Sequence, residues 1–442
     1  MADLQKGSTK LLNAWAFYDW ANSVYTLTIA SAVFPIFYEA LFSERDHYID
    51  VFGLHLKNSA LISFVTAFAF LLVAIISPLL SGIADYVGDK KSFMKFFCYL
   101  GALSCMGLYW FNLENIYIGL AFYFFGLIGY WGSLVFYNSY LPDIAYVEQQ
   151  DKISAKGYSL GYIGSVILLI INLAMIMKPK LFGITGTDGE AAMKAMRYSF
   201  VMVGVWWIIF SQYTYYFLPK GNKNANRKVT HHVVFNGFKE LKKVWFLLKE
   251  NIALKRYLGS FFVSSMAVQT VMLVATYFGA QEIAWSSKAE STTGLIICIL
   301  IIQLVAVLGA IITSRVSGKF GNIPTLIGIN FIWAVFCALA FFITLPIHFY
   351  VMASIAGLVM GGIQALSRST YSKLLPETQD TASFFSFYDV AEKIGIVIGM
   401  LVYGIIDQIT GSPRLAIVFL GVFFVVAVVL LRRVPKKGVL KK

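Results

Sequence analysis

The sequence predicts an all-α membrane protein of about twelve transmembrane helices, arranged as two six-helix halves with both termini cytoplasmic. Three observations carry that reading. The 442 residues are 58% hydrophobic and 13% charged, with a mean hydropathy of +0.71, whereas soluble chains run to roughly 25% charged residues. Apolar runs of about 20 residues, each long enough to cross a hydrocarbon core, recur along the whole chain. Of the 36 Lys+Arg, about 27 fall in segments on one side of those runs and about eight on the other, with Lys393 inside a run. This asymmetry puts the basic side in the cytoplasm. The net charge of +13 is therefore topological and not a nucleic-acid footprint.

Taken in order, spans are expected near 14–39, 58–82, 93–112, 116–138, 158–178, 198–218, 256–280, 291–313, 324–345, 348–370, 385–407 and 414–432. The fifth and tenth are interrupted by glycines and polar residues. The N-terminal MADLQKGSTK carries no cleavable signal pattern, so the first apolar segment is expected to be retained as a span. Residues 1–218 make the first half, 219–255 a basic cytoplasmic linker, 256–433 the second half and 434–442 a basic, solvated tail. In the linker, Val234, Phe235, Phe238, Leu241, Trp245 and Leu248 follow a helical stripe, with Lys239, Lys242, Lys243 and Lys249 mostly elsewhere. That pattern predicts an amphipathic helix on the cytoplasmic leaflet.

Between the second and third spans lies SGIADYVGDKK, Ser81–Lys91. Its small residues allow close helix approach, and Gly88 permits a turn with positive φ. Lys90 and Lys91 hold the loop on the cytoplasmic side. Asp85, near a helix end, needs a helix N-terminus, an Arg or water as partner. The plainer reading is an ordinary cytoplasmic hairpin. Ser314–Asn322, between the eighth and ninth spans, looks like a worn copy of this loop: Gly321 aligns with Gly88, but Gly318 stands where the acid would be. Such a repeat places a transport site where the halves meet, near the bilayer midplane.

Inside the spans, polar residues are few and therefore informative. Asp19, Asn22, Ser23 and Thr26 share one face of the first helix. A carboxylate in a span costs at least ~2.5 kcal/mol unless it faces a cavity or partner, so this face is turned inward; snorkelling to the interface is the competing reading. In the tenth span Gln364 and Arg368 are i, i+4, and Gly361-Gly362 allow close packing or local unwinding. In the eleventh, Asp389 and Lys393 can pair along the helix, Glu392 points to another face, and Gly395 and Gly399 form a packing seam. Asp19, Arg368, Asp389 and Lys393 come out at similar depth, as a gate, a substrate-charge binder or a proton relay; static packing pairs are the alternative. Tyr25, Tyr130, Trp131, Tyr137 and Asn138, Asn172, Gln269, Thr270, Tyr277 and Gln303 are further polar candidates, each equally able to serve as a helix–helix hydrogen bond.

Cys98, Cys105, Cys298 and Cys337 fall in apolar runs without metal-ligand spacing and read as small hydrophobes. His47, His55, His231, His232 and His348 fall in loops or at span edges, which argues against a buried metal centre. No cofactor is implied.

The D-x-x-G-x-K-K of Asp85–Lys91 resembles the signature loop of the major facilitator superfamily. Ser81 replaces the usual glycine and Tyr86 the usual basic residue. The resemblance implies that Asp85, Gly88, Lys90 and Lys91 form a conformational latch, and that helices 1, 4, 7 and 10 line the cavity. YDWANSVY (18–25), YNSYLPDIA (137–145), ISAKGYSLGYIG (153–164), GGIQALSRSTYSKLLPE (361–377) and FFSFYDVAEKIG (384–395) resemble one branch of it. That branch holds bacterial members and the autophagy-related fungal vacuolar transporters that export amino acids. It implies a twelve-helix fold and, by its fungal members, amino-acid efflux.

The expected function is a secondary transporter working by alternating access, monomeric in a bacterial inner membrane. It would move a small polar solute, with protons or down its gradient. Asp19, Asn22, Tyr25, Asn138, Gln269, Gln364, Arg368, Asp389 and Lys393 are its candidate pathway residues. A zwitterion wants an anion and a cation in one site, which Asp19 with Arg368 or Lys393 would supply. There is no Walker-type G-x-x-x-x-G-K-[ST], which disfavours direct ATP coupling, and neither H-E-x-x-H nor G-x-S-x-G points to an embedded enzyme. A multidrug exporter and a non-transporting receptor or scaffold are the remaining alternatives.

Overall fold

The computed structural model describes residues 4–42, 48–51, 54–220 and 233–435. His47, His231, His232 and the tail from 436 lie outside the described residues, as does the side chain of His55. The described chain is almost wholly helical. In the first half, the long helices are α1 (Thr9–Ala40), α2 (Asn58–Val87), α3 (Lys90–Gly107), α4 (Ile116–Ser139), α5 (Val147–Met177) and α6 (Asp188–Phe217). A linker helix, Val233–Glu250, follows. The second half holds α7 (Ile252–Glu282), α8 (Lys288–Phe320), α9 (Asn322–Ala340), α10 (Pro346–Leu374), α11 (Thr381–Thr410) and α12 (Pro413–Arg432). Ten of these are long and apolar enough to cross a membrane. The other two carry charge: α3 has Lys90, Lys91 and Lys95, and α11 has Asp389, Glu392, Lys393 and Asp407.

Several helices outrun their apolar stretches. Helix α5 begins at Val147 rather than near 158, and α6 at Asp188 rather than near 198. The reason is local. Thr187 and Glu190 form a reciprocal capping box that starts α6 in polar sequence, and Gln149 does the same with Tyr146 for α5. The glycines of the fifth and tenth spans interrupt neither helix. Two features carry no periodicity signal: the antiparallel pair β1 (Tyr48–Val51) and β2 (Leu54–Lys57), and a π-helical segment, Tyr25–Ala32, inside α1.

Outward faces are apolar. Along α2, Phe64, Phe68, Leu71 and Ile75 form an exposed stripe at helical spacing. Water would penalise that stripe; lipid does not. The buried apolar side chains fall into two large clusters, one drawn from Leu11–Leu218 plus Ala382 and one from Val244–Val434 plus Tyr162. The two residues out of sequence, Ala382 and Tyr162, mark where the halves lean on each other.

The linker helix does more than rest on a surface. Val244 and Leu248 are buried in the second cluster, and Lys243 pairs with Asp380 at 2.6 Å. That contact holds the Lys243 ammonium above the usual lysine range. Of the predicted stripe, Phe238 and Trp245 are exposed and Leu241 is half-buried, because the protein takes one side of the helix and leaves the other free. Val434, placed in a solvated tail by composition, is buried.

Candidate functional site

The halves meet along one end of the bundle, the end that carries the turns at Gly88 and Gly321, and polar side chains join them there in layers. Outermost is Asp85. It sits at the C-terminal end of α2, where Gly88 (φ 70°) ends the helix. Its carboxylate accepts from the backbone N–H groups of Ala382 (3.2 Å) and Ser383 (2.7 Å) and from the Ser383 hydroxyl (2.7 Å). These are orphan donors in the first turn of α11, so charge and geometry match. Beside it, Lys90 Nζ binds Asp143 Oδ2 at 2.5 Å and also donates to Thr381 Oγ1. Lys91 donates to the Leu218 carbonyl at 2.7 Å, at the end of α6. Both lysines are buried, so they are anchors as well as topological charges.

The other side of the same end is held with the polarity reversed. Asp151, in α5, receives Lys373 Nζ at 2.6 Å, Ser317 Oγ at 3.0 Å and Asn322 Nδ2 at 2.9 Å. Here the acid comes from the first half and the donors from the second: Ser317 near the end of α8, Asn322 at the start of α9 and Lys373 in the last turn of α10. Sequence reasoning missed Asp151, although the absence of an acid at Gly318 was the signal: the missing charge sits on the facing helix.

Deeper lies the central pair. Asp19 and Arg368, buried at 4% and 1% exposure, join α1 to α10 at 3.1 Å. Tyr137 donates to Asp19 Oδ2 at 2.8 Å. The guanidinium donates to Ser154 Oγ (3.0 Å), the Ser154 carbonyl (2.9 Å) and Asn138 Oδ1 (3.3 Å). It also lies over the rings of Tyr158 (4.1 Å) and Trp15 (4.8 Å). A desolvated cation–π contact contributes about 2 kcal/mol, so the rings help hold Arg368 in place. Gly157 makes room: a Cβ there would come within 2.4 Å of Asp19 Oδ2 and 3.0 Å of Arg368 Nη2. At Gly361 a Cβ would fall 2.0 Å from the Ala306 carbonyl oxygen, so the glycine pair serves close packing and not unwinding.

At the next level Tyr162 donates to Gln364 Oε1 at 2.6 Å, again across the halves. On α11, Lys393 pairs with Asp389 and lies 3.6 Å from Glu392 Oε2, while its ammonium stands over the Trp131 ring of α4 at 3.7 Å. Gln269 donates to Glu392 Oε1 at 2.9 Å. Glu392 therefore does not point away from this group, as the helical wheel implied; its long side chain folds back toward Lys393. Asn22 and Tyr25 are buried, with Tyr25 stacked on Tyr130 at 4.9 Å, and neither joins the ionic groups. His348 is exposed at the start of α10. The described residues contain no group of three or more His, Cys, Asp or Glu placed to hold a metal ion.

Residues 7–439 match the family described as "Vacuole effluxer Atg22 like". The chain is 31% identical over 436 residues to an uncharacterized MFS-type transporter, YxiO, of Bacillus subtilis, covering 98% of this chain and 97% of that one. It is 22% identical to autophagy-related protein 22-2 of Aspergillus oryzae, over 87% of this chain and 75% of the relative. The fold superimposes on that of the E. coli fucose:proton symporter with a TM-score of 0.66 at 14% identity, covering 97% of this chain and 98% of the symporter. The polar layers thus lie between the halves of a membrane transporter and not in an enzyme's active site, and the chain belongs to the Atg22-like family within the major facilitator superfamily.

Proposed function

We propose that the protein is a secondary transporter that moves a small polar solute, amino acids first among the candidates, by alternating access and in the direction of efflux. In this reading twelve helices span the membrane, the basic end faces the cytoplasm with both termini, and the chain acts as a monomer in a bacterial inner membrane. Residues 1–218 and 256–433 are then the two moving bodies, with 219–255 as their tether.

The observation that carries the reading is the buried Asp19–Arg368 pair across the halves. A charge pair of this kind is poor static glue, since desolvation offsets most of its attraction. It suits a contact that must open and be replaced. A zwitterion offers a carboxylate to Arg368 and an ammonium to Asp19, so it can take the place of each partner in turn. With the basic end sealed by Asp85, Lys90 and Asp151, the arrangement is that of a carrier closed to the cytoplasm. Proton coupling is supported by the carboxylates held in this layer and by analogy with the fucose:proton symporter that shares the fold.

The test is counterflow in proteoliposomes, comparing pooled labelled amino acids with other solute pools for wild type and Asp19→Asn. Saturable exchange by wild type and its loss in a folded variant are expected. Exchange with another pool but not with amino acids would overturn the substrate assignment. Exchange with none, from folded protein, would overturn the carrier reading in favour of a receptor.

A further inference from the structure

The charges in the layer between the halves do not cancel, although Glu392 is only partly buried. Asp19 is matched by Arg368, but on α11 two carboxylates, Asp389 and Glu392, face the single ammonium of Lys393. Among the described residues Lys393 is the one basic group within ion-pair distance of either acid. Asp389 is 6% exposed, and its Oδ2 has no hydrogen-bond partner among the described residues. The neighbouring elements supply no further cation within ion-pair distance; Arg368 of α10 shares Tyr158 and Tyr388 with Glu392 as electrostatic neighbours but is paired with Asp19. Tyr130 of α4, Tyr158 of α5 and Tyr388 of α11 itself lie within electrostatic reach of Glu392, as phenols that are neutral near pH 7. From α7 comes the uncharged Gln269, and from α10 Tyr371, packed on Tyr388. Other charges beside α11 lie toward its ends: Asp85 of α2 and Lys90 of α3 on its first turn, Lys243 of the linker helix on Asp380, and at the far end Asp407 of α11 itself and Arg414 of α12 on Glu282.

We propose that Asp389 and Glu392 hold one proton between them, making the α11 cluster a proton-binding site. The inference rests on the transporter reading and names where its coupling ion binds. An uncompensated charge in a low-dielectric interior costs several kcal/mol, and a carboxylate escapes that cost by taking a proton. Two carboxylates competing for one ammonium share that proton as a pair, so it belongs to neither residue alone. Protonated, the cluster is electrically neutral and can be carried through a dry intermediate of the cycle. Deprotonated, it carries one negative charge and requires water or a cationic solute group beside it. Protonation state and solute access are thereby linked in one place.

Infrared difference spectroscopy of the full chain in lipid nanodiscs tests this without any solute. Wild type should show, near neutral pH, the carbonyl band of a protonated carboxyl that shifts on deuteration. Asp389→Asn and Glu392→Gln should each abolish it, since one carboxylate and one ammonium then balance. Asp19→Asn should leave it. Lys393→Gln should enlarge it about twofold, because both acids then lack a counter-ion. No band in wild type, a band surviving in both carboxylate variants, or one unchanged by Lys393→Gln would each overturn the proposal. Where one amide variant does not fold, the other and Lys393→Gln decide. Because no solute is added, failure here is distinct from failure of counterflow.

Discussion

Replacing Asp85 by Asn should open the basic end of the protein, and the structure allows the size of the effect to be worked out. Three donors converge on the two oxygens of Asp85: two backbone N–H groups and the Ser383 hydroxyl. An amide keeps one oxygen and turns an NH2 toward a donor, so at least one bond is lost and the others become neutral. Hydrogen bonds to a charged acceptor contribute ~1.5–3 kcal/mol, and the negative charge at the N-terminus of α11 adds up to ~1 kcal/mol. A net loss of about 2–3 kcal/mol changes the closed-to-open ratio roughly 30- to 150-fold. Asp85→Glu should cost less, since it keeps the charge but displaces it by a methylene.

Pulsed electron spin resonance reads this ratio directly. The four native cysteines are buried, so spin labels would go to cysteines introduced at the exposed Ser92 and Gln379. These positions flank the α2–α11 contact from opposite halves. Wild type should give one short distance, and Asp85→Asn a second, longer population. A variant distribution superimposable on that of wild type would refute the claim that Asp85 holds the end shut.

Other perturbations follow from the same layers. Asp151→Asn should loosen the α5–α8 side by a similar amount, and because it shares no partner with Asp85 the two effects should add in the double variant, as read by the same distances. Arg368→Met leaves Asp19 buried without its cation and should cost about 3–5 kcal/mol in thermal unfolding, while adding Asp19→Leu should restore part of that loss. Gly157→Ala should separate Asp19 from Arg368 at a cost of about 1–3 kcal/mol and lower counterflow while leaving the bundle folded. Lys243→Ala should change unfolding by less than about 1 kcal/mol, since its ammonium is largely exposed and screened. What that pair does contribute is complete below the lysine's unfolded pKa and lost as pH rises through the raised folded value.

Much of this was legible in the chain because a membrane forces polar residues to declare themselves. Asp19, Arg368, Asp389 and Lys393 stood out as charges in apolar runs, and the structure sets each against another member of the set. The i, i+4 spacing gave Asp389–Lys393 outright. The spacing between residues on different helices was not legible, since Asp19 and Arg368 lie 349 positions apart. Asp143 and Asp151 escaped notice for a different reason. They sit at helix ends, where an acid is unremarkable, and only the partner loop reveals their use. Glu392 was misjudged because a helical wheel locates Cα atoms, whereas a glutamate reaches across neighbouring faces. In the linker, Val244 and Leu248 pack against the second half while Phe238 and Trp245 stay exposed; periodicity cannot say whether lipid or protein covers an apolar face.

The order of the layers itself argues for a working cycle. Asp85, Lys90 and Asp151 lie at the end of the bundle, where parting the halves lets water replace each lost partner. The cost of opening there is smaller than the mutational cost, because a solvated carboxylate is not an orphan. Asp19 and Arg368 have no such exchange while the end is shut: each is buried, and parting them without a replacement strands two charges at about 3–5 kcal/mol. Only groups of opposite charge offered to both partners, as the charged ends of a solute are, remove that barrier. A protein built only to be rigid would gain more from apolar packing at the same positions. Placing the irreplaceable pair innermost and the water-replaceable ones outermost makes opening conditional on what occupies the centre, which is the requirement for moving a solute without leaving a pore.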